Sequence, residues 1–181
     1  MRLPTFVAMR VGWTASAAIV LALILAACSD GARPPVETSA SHASTPAAVS
    51  ADEAQAVFAQ YLIASDSVAV AERGDASPVK PYVTPRMLVV EQRAATAFKE
   101  AGVHQDGATT FDGFTVQRSD QSEMVAYLCL DGSETHLTDA DGHSAVKEGT
   151  PDRQSVVVTF VRQGTQLRVD GLNLWSGQSV C

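Results

Sequence analysis

Tyr61 and Asp66 are the residues of this chain whose types and spacing come nearest to chemistry. A phenol and a carboxylate in an apolar enclosure can polarise a carbonyl and move a proton, as an isomerase must. They lie five positions apart in a segment that reads as helix. At 3.6 residues per turn, that spacing separates them by about 140°. They share a face only if the helix bends at Ser65. The simpler expectation puts Tyr61 in the core and Asp66 at the surface.

His136, Asp139, Asp141 and His143 form a second constellation. Nitrogen and oxygen donors this close could hold a divalent metal. Yet Asp139-Ala140-Asp141-Gly142 is also an ordinary turn sequence, and it is too short for an EF-hand loop. No metal is expected there. His104 falls in the Gly102–Gly107 loop and is expected in solvent. Ser133 has no Gly-x-Ser-x-Gly context, and no glycine-rich phosphate loop is present. These readings leave no catalytic set and imply no cofactor.

The three cysteines carry more information. Arg2 and Arg10 precede an apolar run from Val11 to Ala27, the layout of a signal peptide. The run closes on Leu25-Ala26-Ala27-Cys28, which resembles the lipobox of bacterial lipoproteins. That resemblance implies cleavage between Ala27 and Cys28 and a diacylglycerol on the Cys28 sulfur. Several acyl chains, palmitate among them, hold a membrane at about 0.8 kcal/mol per buried methylene. The alternatives are an uncleaved signal anchor with an incidental thiol, and plain secretion. A lipoprotein would sit in the cell envelope, on the extracytoplasmic face of the cell membrane. Cys129 and Cys181 then meet an oxidising compartment, and a disulfide between them is expected. Closing a loop of about 50 residues stabilises by about 4 kcal/mol in the chain-entropy model, often less. Two free thiols are the alternative.

Composition bounds the rest. Residues 1–27 read as the signal peptide. Residues 28–50 read as the lipidated cysteine and a flexible tether rich in Ser, Ala and Pro. Residues 51–181 make one domain, long enough for a sizeable core. The whole chain has 13 basic and 20 acidic side chains; without Arg2 and Arg10, the balance is 11 against 20, net −9. There is no Lys/Arg cluster, which argues against nucleic-acid binding. Net acidity also repels an anionic membrane surface, so the lipid must do the anchoring.

The elements follow from periodicity. Asp52 to about Arg73 is expected as a helix, with Val57, Phe58, Tyr61, Leu62, Val68 and Ala69 on its apolar stripe. The polar Ser65-Asp66-Ser67 triplet could break or bend it, and Gly74 follows its end. Thr84-Pro85 starts a second helix, a hydroxyl cap followed by proline, which Gly102 closes. Its expected inward face is Met87, Val90, Ala94, Ala97, Phe98 and Ala101. After Gly107 the period becomes two, giving four strands around Phe114–Gln117, Met124–Leu130, Val156–Val161 and Leu167–Asp170. In the long link between the second and third, Thr135–Leu137 and Ser144–Val146 could be hairpin arms. The second and third strands are apolar on both sides and should be central. Helices followed by an antiparallel meander make an α+β fold, with the helices on one face of a curved sheet.

This order resembles the NTF2-like fold, a cone of curved sheet around a long first helix. More narrowly, the chain is similar to small lipoproteins and secreted proteins of actinobacteria with that fold. The likeness rests on Cys129-Leu130-Asp131-Gly132-Ser133, the Thr138–Gly142 turn, Arg153, Val156–Gly164 and Trp175 near Cys181. Gln166-Leu167-Arg168-Val169 departs from it, since such proteins often place Trp at or beside the Leu167 position. The resemblance implies a pocket at the open end of the cone. Tyr61, Asp66 and Trp175 are its candidate lining residues, with Trp175 read first as a lid on the core. The expected function is a non-enzymatic binding or scaffold module for an envelope protein partner or an apolar small molecule. The alternative is a cone-pocket enzyme of the isomerase or cyclase type.

Overall fold

The computed structural model describes residues 47–181. The expected signal peptide, cleavage site, lipidated Cys28 and most of the 28–50 tether lie outside the described residues. Among those described, no helix is long and apolar enough to cross a membrane.

Helix α1 spans Ala51–Ala71. The Ser50 hydroxyl accepts the Glu53 N–H, and Asp52 and Glu53 occupy the first turn, where carboxylates suit the helix dipole. The helix runs unbroken through Ser65–Ser67. Ser67 Oγ donates to the Ala64 carbonyl at 2.6 Å, so its hydroxyl is satisfied without breaking the ladder. It ends where Glu72 turns left-handed (φ 53°), two residues before Gly74. A single 3₁₀ turn, Ser77–Val79, leads to α2, Pro85–Ala101. Thr84 caps α2 and Gly102 (φ 59°) ends it, as the sequence predicts. Its inward face differs from expectation. Met87 and Ala95 are buried and Leu88, Glu91 and Phe98 half-buried, whereas Val90, Ala94, Ala97 and Ala101 face solvent. Only Met87 and Phe98 of the expected set turn inward, because alanines fit either side of a helix and do not fix its rotation.

Strand β1 is His104–Asp106, β2 Thr110–Ser119, β3 Glu123–Asp131, β4 His136–Thr138, β5 Arg153–Gln163 and β6 Gln166–Leu174. The main sheet has the order β2-β3-β5-β6, antiparallel throughout, with the doubly apolar β3 and β5 at its centre. Bulges at Asp112–Thr115, where Gly113 takes φ 63°, at Val116–Arg118 and at Thr159–Phe160 interrupt the register and bend the strands. Both helices pack on one face. The result is the expected α+β arrangement, helices on one face of a curved antiparallel sheet. Phe58 of α1 sits fully buried at the centre, edge-on to Phe111 at 5.0 Å and to Phe160 at 6.2 Å. Met124, Leu128, Val158 and Val169 complete this core. The β6 edge is shielded by a passing segment: Thr84 N–H donates to the Val169 carbonyl and Val169 N–H to the Tyr82 carbonyl.

Two expectations need correction. The 135–137 and 144–146 segments do not form a regular hairpin. β4 pairs instead with β1, as His104↔Thr138 to Asp106↔His136, and a lone Thr138↔Ser144 bridge is all that joins the expected arms. Three-residue strands are too short to show an alternating pattern. The close passage that follows β1 depends on Gly107 (φ 82°): a Cβ there would lie 1.7 Å from the Glu134 carbonyl oxygen. His104 accordingly lies in a strand rather than a loop, beside the Glu72 carboxylate, and it is solvent-exposed as expected.

The outer face of the sheet is covered at one end by the C-terminal segment. Cys129 and Cys181 form a disulfide, and Ser155 Oγ accepts the Val180 N–H at 2.9 Å. Trp175 packs on Tyr127, ring centroids 4.5 Å apart. It thus covers the outer face rather than the helix-side core.

Candidate functional site

The interior midway along the sheet is filled by the Phe58 cluster. Open space lies at the end where β3 finishes and β5 begins. A cavity of about 230 Å³ there is lined by Leu130, Leu137, Val146, Pro151 and the threonines 109 and 135, with Asp152 and Gln154 at its margin. An apolar cavity of about 150 Å³ suffices to hold a benzene ring.

A second cavity of about 170 Å³ lies between the helices. Asp66, Val68 and Ala69 of α1 face Glu91, Ala94, Ala95 and Phe98 of α2 across it, and Gln105 and Thr109 close one side. Its chemistry begins with Tyr61, which is 3% exposed and donates its hydroxyl to Glu91 Oε1 at 2.7 Å. Burial pushes the phenol well above its ordinary range, and the neighbouring Glu91 carboxylate pushes it further. Burial also raises the Glu91 carboxyl, and the Tyr61 hydrogen bond offsets only part of that.

Asp66 is half-buried and plays a different part. Its oxygens accept Gln105 Nε2 at 2.8 Å, the Thr109 N–H at 2.9 Å and Thr109 Oγ1 at 3.0 Å. Three neutral donors tie α1 to β1 and to the start of β2. Thr109 lines both cavities, and its hydroxyl lies 3.4 Å from that of Thr135. The structure therefore gives the Tyr61 hydroxyl to Glu91 and three protein donors to the Asp66 oxygens.

Glu91 escaped the sequence reading. Its signal was a lone acid at the four-residue step between Met87 and Ala95, the face that turns inward; choosing the other face hid it.

The remaining candidates are placed as follows. Asp139, Asp141 and His143 bring ligand atoms within 4.8 Å of one another on an exposed turn. Asp139 Oδ1 accepts the N–H groups of Asp141 and His143, at 3.0 and 2.9 Å, which accounts for this geometry as a turn. His136 lies in β4, paired with Asp106. Ser133 gives its N–H to Asp131 Oδ1. Trp175 borders an open groove with Lys147, Arg153 and Leu174, but its ring is held between Tyr127 and Gly177.

No family model matches the chain, and no curated protein matches it in sequence. Solved structures with a related course of the chain include the intermembrane space region of the chloroplast protein ARC6 (TM-score 0.49, 10% identity, 71% of this chain and 98% of that one). Others are Aln2 from a Streptomyces species (0.43, 18%, 67% and 85%) and Kfla4162 from Kribbella flavida (0.43, 12%, 68% and 87%). Likenesses this distant bear on nothing beyond general architecture.

Proposed function

We propose that this chain is a lipid-anchored binding module of the cell envelope, held to the extracytoplasmic face of the membrane through Cys28. Its ligand is a small apolar molecule, taken up in the cavity between Leu130, Leu137 and Val146. The observation that carries this reading is the cavity itself: mostly apolar walls, a few hydroxyls to orient a guest, and Asp152 the sole charged side chain among the described residues that line it. The tether and the lipobox resemblance support the location. The engagement of Tyr61 and Asp66 by neighbouring groups weighs against the isomerase or cyclase alternative.

Two measurements test it. Cells fed an alkyne palmitate analogue should label the wild-type chain and not Cys28→Ala; equal labelling of both, or of neither, overturns the anchor. In the purified full chain, benzene should shift the methyl resonances of Leu130, Leu137 and Val146 to saturation, and Val146→Trp should abolish this. Linear, unsaturable shifts that Val146→Trp leaves unchanged overturn the ligand reading.

A further inference from the structure

We infer that the cleft between α1 and α2 is a second binding site, for a small organic ammonium ion whose charged head meets Glu91 and whose apolar body lies against Phe98 and the alanines. Glu53 pairs with Arg162, Asp170 with Arg86, Asp112 and Asp131 with Arg153, and Glu123 with Arg118. Most of these arginines lie at the surface, where an ion pair contributes little. Asp66 and Glu91 are half-buried at a half-open cleft, where charge is screened less than at the free surface, and neither has a cationic partner among the described residues. Among the described residues, no Lys, Arg or His lines the cleft.

The geometry supplies an acceptor of matching chemistry. Tyr61 occupies Glu91 Oε1, and Glu91 Oε2 has no hydrogen-bond partner among the described residues. An ionised carboxylate has about four acceptor positions, so this oxygen can take an ammonium N–H. Asp66 adds negative potential from the opposite helix. Ala94, Ala95, Ala69 and Val68 provide small apolar walls, and the Phe98 ring can attract a cation through its π face. A divalent metal fits poorly: Ca²⁺ and Mg²⁺ need about six or more oxygens, and both Asp66 oxygens are engaged. An anion would be repelled. The titratable groups facing Glu91 are Tyr61 and Asp66, both from α1, while β1 contributes the neutral Gln105. Partial burial displaces the Glu91 carboxyl upward, and only the Tyr61 hydrogen bond opposes it.

The site shares Thr109 alone with the apolar cavity among the residues lining the two, so either assignment can fail alone. The test titrates the full chain with n-butylammonium chloride, using n-butanol, sodium butyrate and potassium chloride as controls. Amide shifts of Glu91, Ala94 and Phe98 report binding, and the Glu91 carboxyl carbon reports its titration. Saturable shifts are expected with butylammonium alone, together with a fall in the Glu91 pKa. Glu91→Gln, which keeps an acceptor for Tyr61, should weaken binding at least tenfold. Ala94→Trp, at an exposed position over the cleft, should do the same without touching the carboxylate. Either variant suffices as the control if the other fails to fold. Equal shifts with butanol or potassium, or tight binding retained in a folded variant, would overturn the assignment.

Discussion

The Tyr61 hydroxyl and Glu91 Oε1 are 2.7 Å apart and join the middle of α1 to the middle of α2. Tyr61→Phe removes the donor and leaves a half-buried carboxylate without it. A hydrogen bond to a charged group contributes about 1.5–3 kcal/mol, so the variant should lose about 2 kcal/mol at neutral pH. Urea unfolding checks this through a lower midpoint at an unchanged slope; an unchanged midpoint refutes it.

Glu91→Gln should act in the opposite sense on stability. Burial raises the Glu91 carboxyl in the folded state, so the native protein holds this proton more tightly than the unfolded chain does. The stabilisation is full below the unfolded value and is lost as pH rises through the folded one. Glutamine mimics the protonated form. The variant should therefore melt higher than wild type at pH 7, and the difference should close towards pH 4. Melting curves across that range settle the sign.

These two residues also show what the sequence made legible. The caps of α2 were readable because Thr84, Pro85 and Gly102 each have one local job. The four long strands were readable because each holds a period-two run of at least four residues, although the strands themselves extend over nine to eleven. The rotation of α2 was not, because Val90, Ala94, Ala97 and Ala101 form as regular a stripe as the one that is buried. Glu91 was lost with it. Tyr61 in the core was foreseeable from its neighbours Phe58 and Leu62. The half-burial of Asp66 was not, since Gln105 and Thr109, its partners, lie 39 and 43 residues away.

Asp66→Ala should free the start of β2 and the β1–β4 pair. Three hydrogen bonds lose their acceptor, and the cost should be about 2–3 kcal/mol. Hydrogen exchange provides the sharper reading: the Thr109 amide should lose protection far more than Leu128 in the central strand. Uniform loss across both would mean that Asp66 does not act locally.

Cys181→Ser should loosen the C-terminal segment without unfolding the core. The bridge closes a 52-residue separation, for which the chain-entropy model gives about 4 kcal/mol and experiment often less. The variant should melt lower than wild type and should be insensitive to reductant. Wild type under dithiothreitol should fall to the same value. A wild type indifferent to reductant would mean that the two sulfurs are not joined.

Val49 is fastened to the β2–β3 turn, its N–H donating to the Asp120 carbonyl at 2.9 Å and its carbonyl accepting Ser119 Oγ at 2.7 Å. Val49 thus sits where β3 begins, whereas the cavity beside Leu130 and Gln154 lies where β3 ends, roughly 26 Å away along its nine residues. If the anchor and the apolar guest are as proposed, attachment and uptake act on opposite ends of one strand, and substitutions near Val49 should leave uptake unchanged.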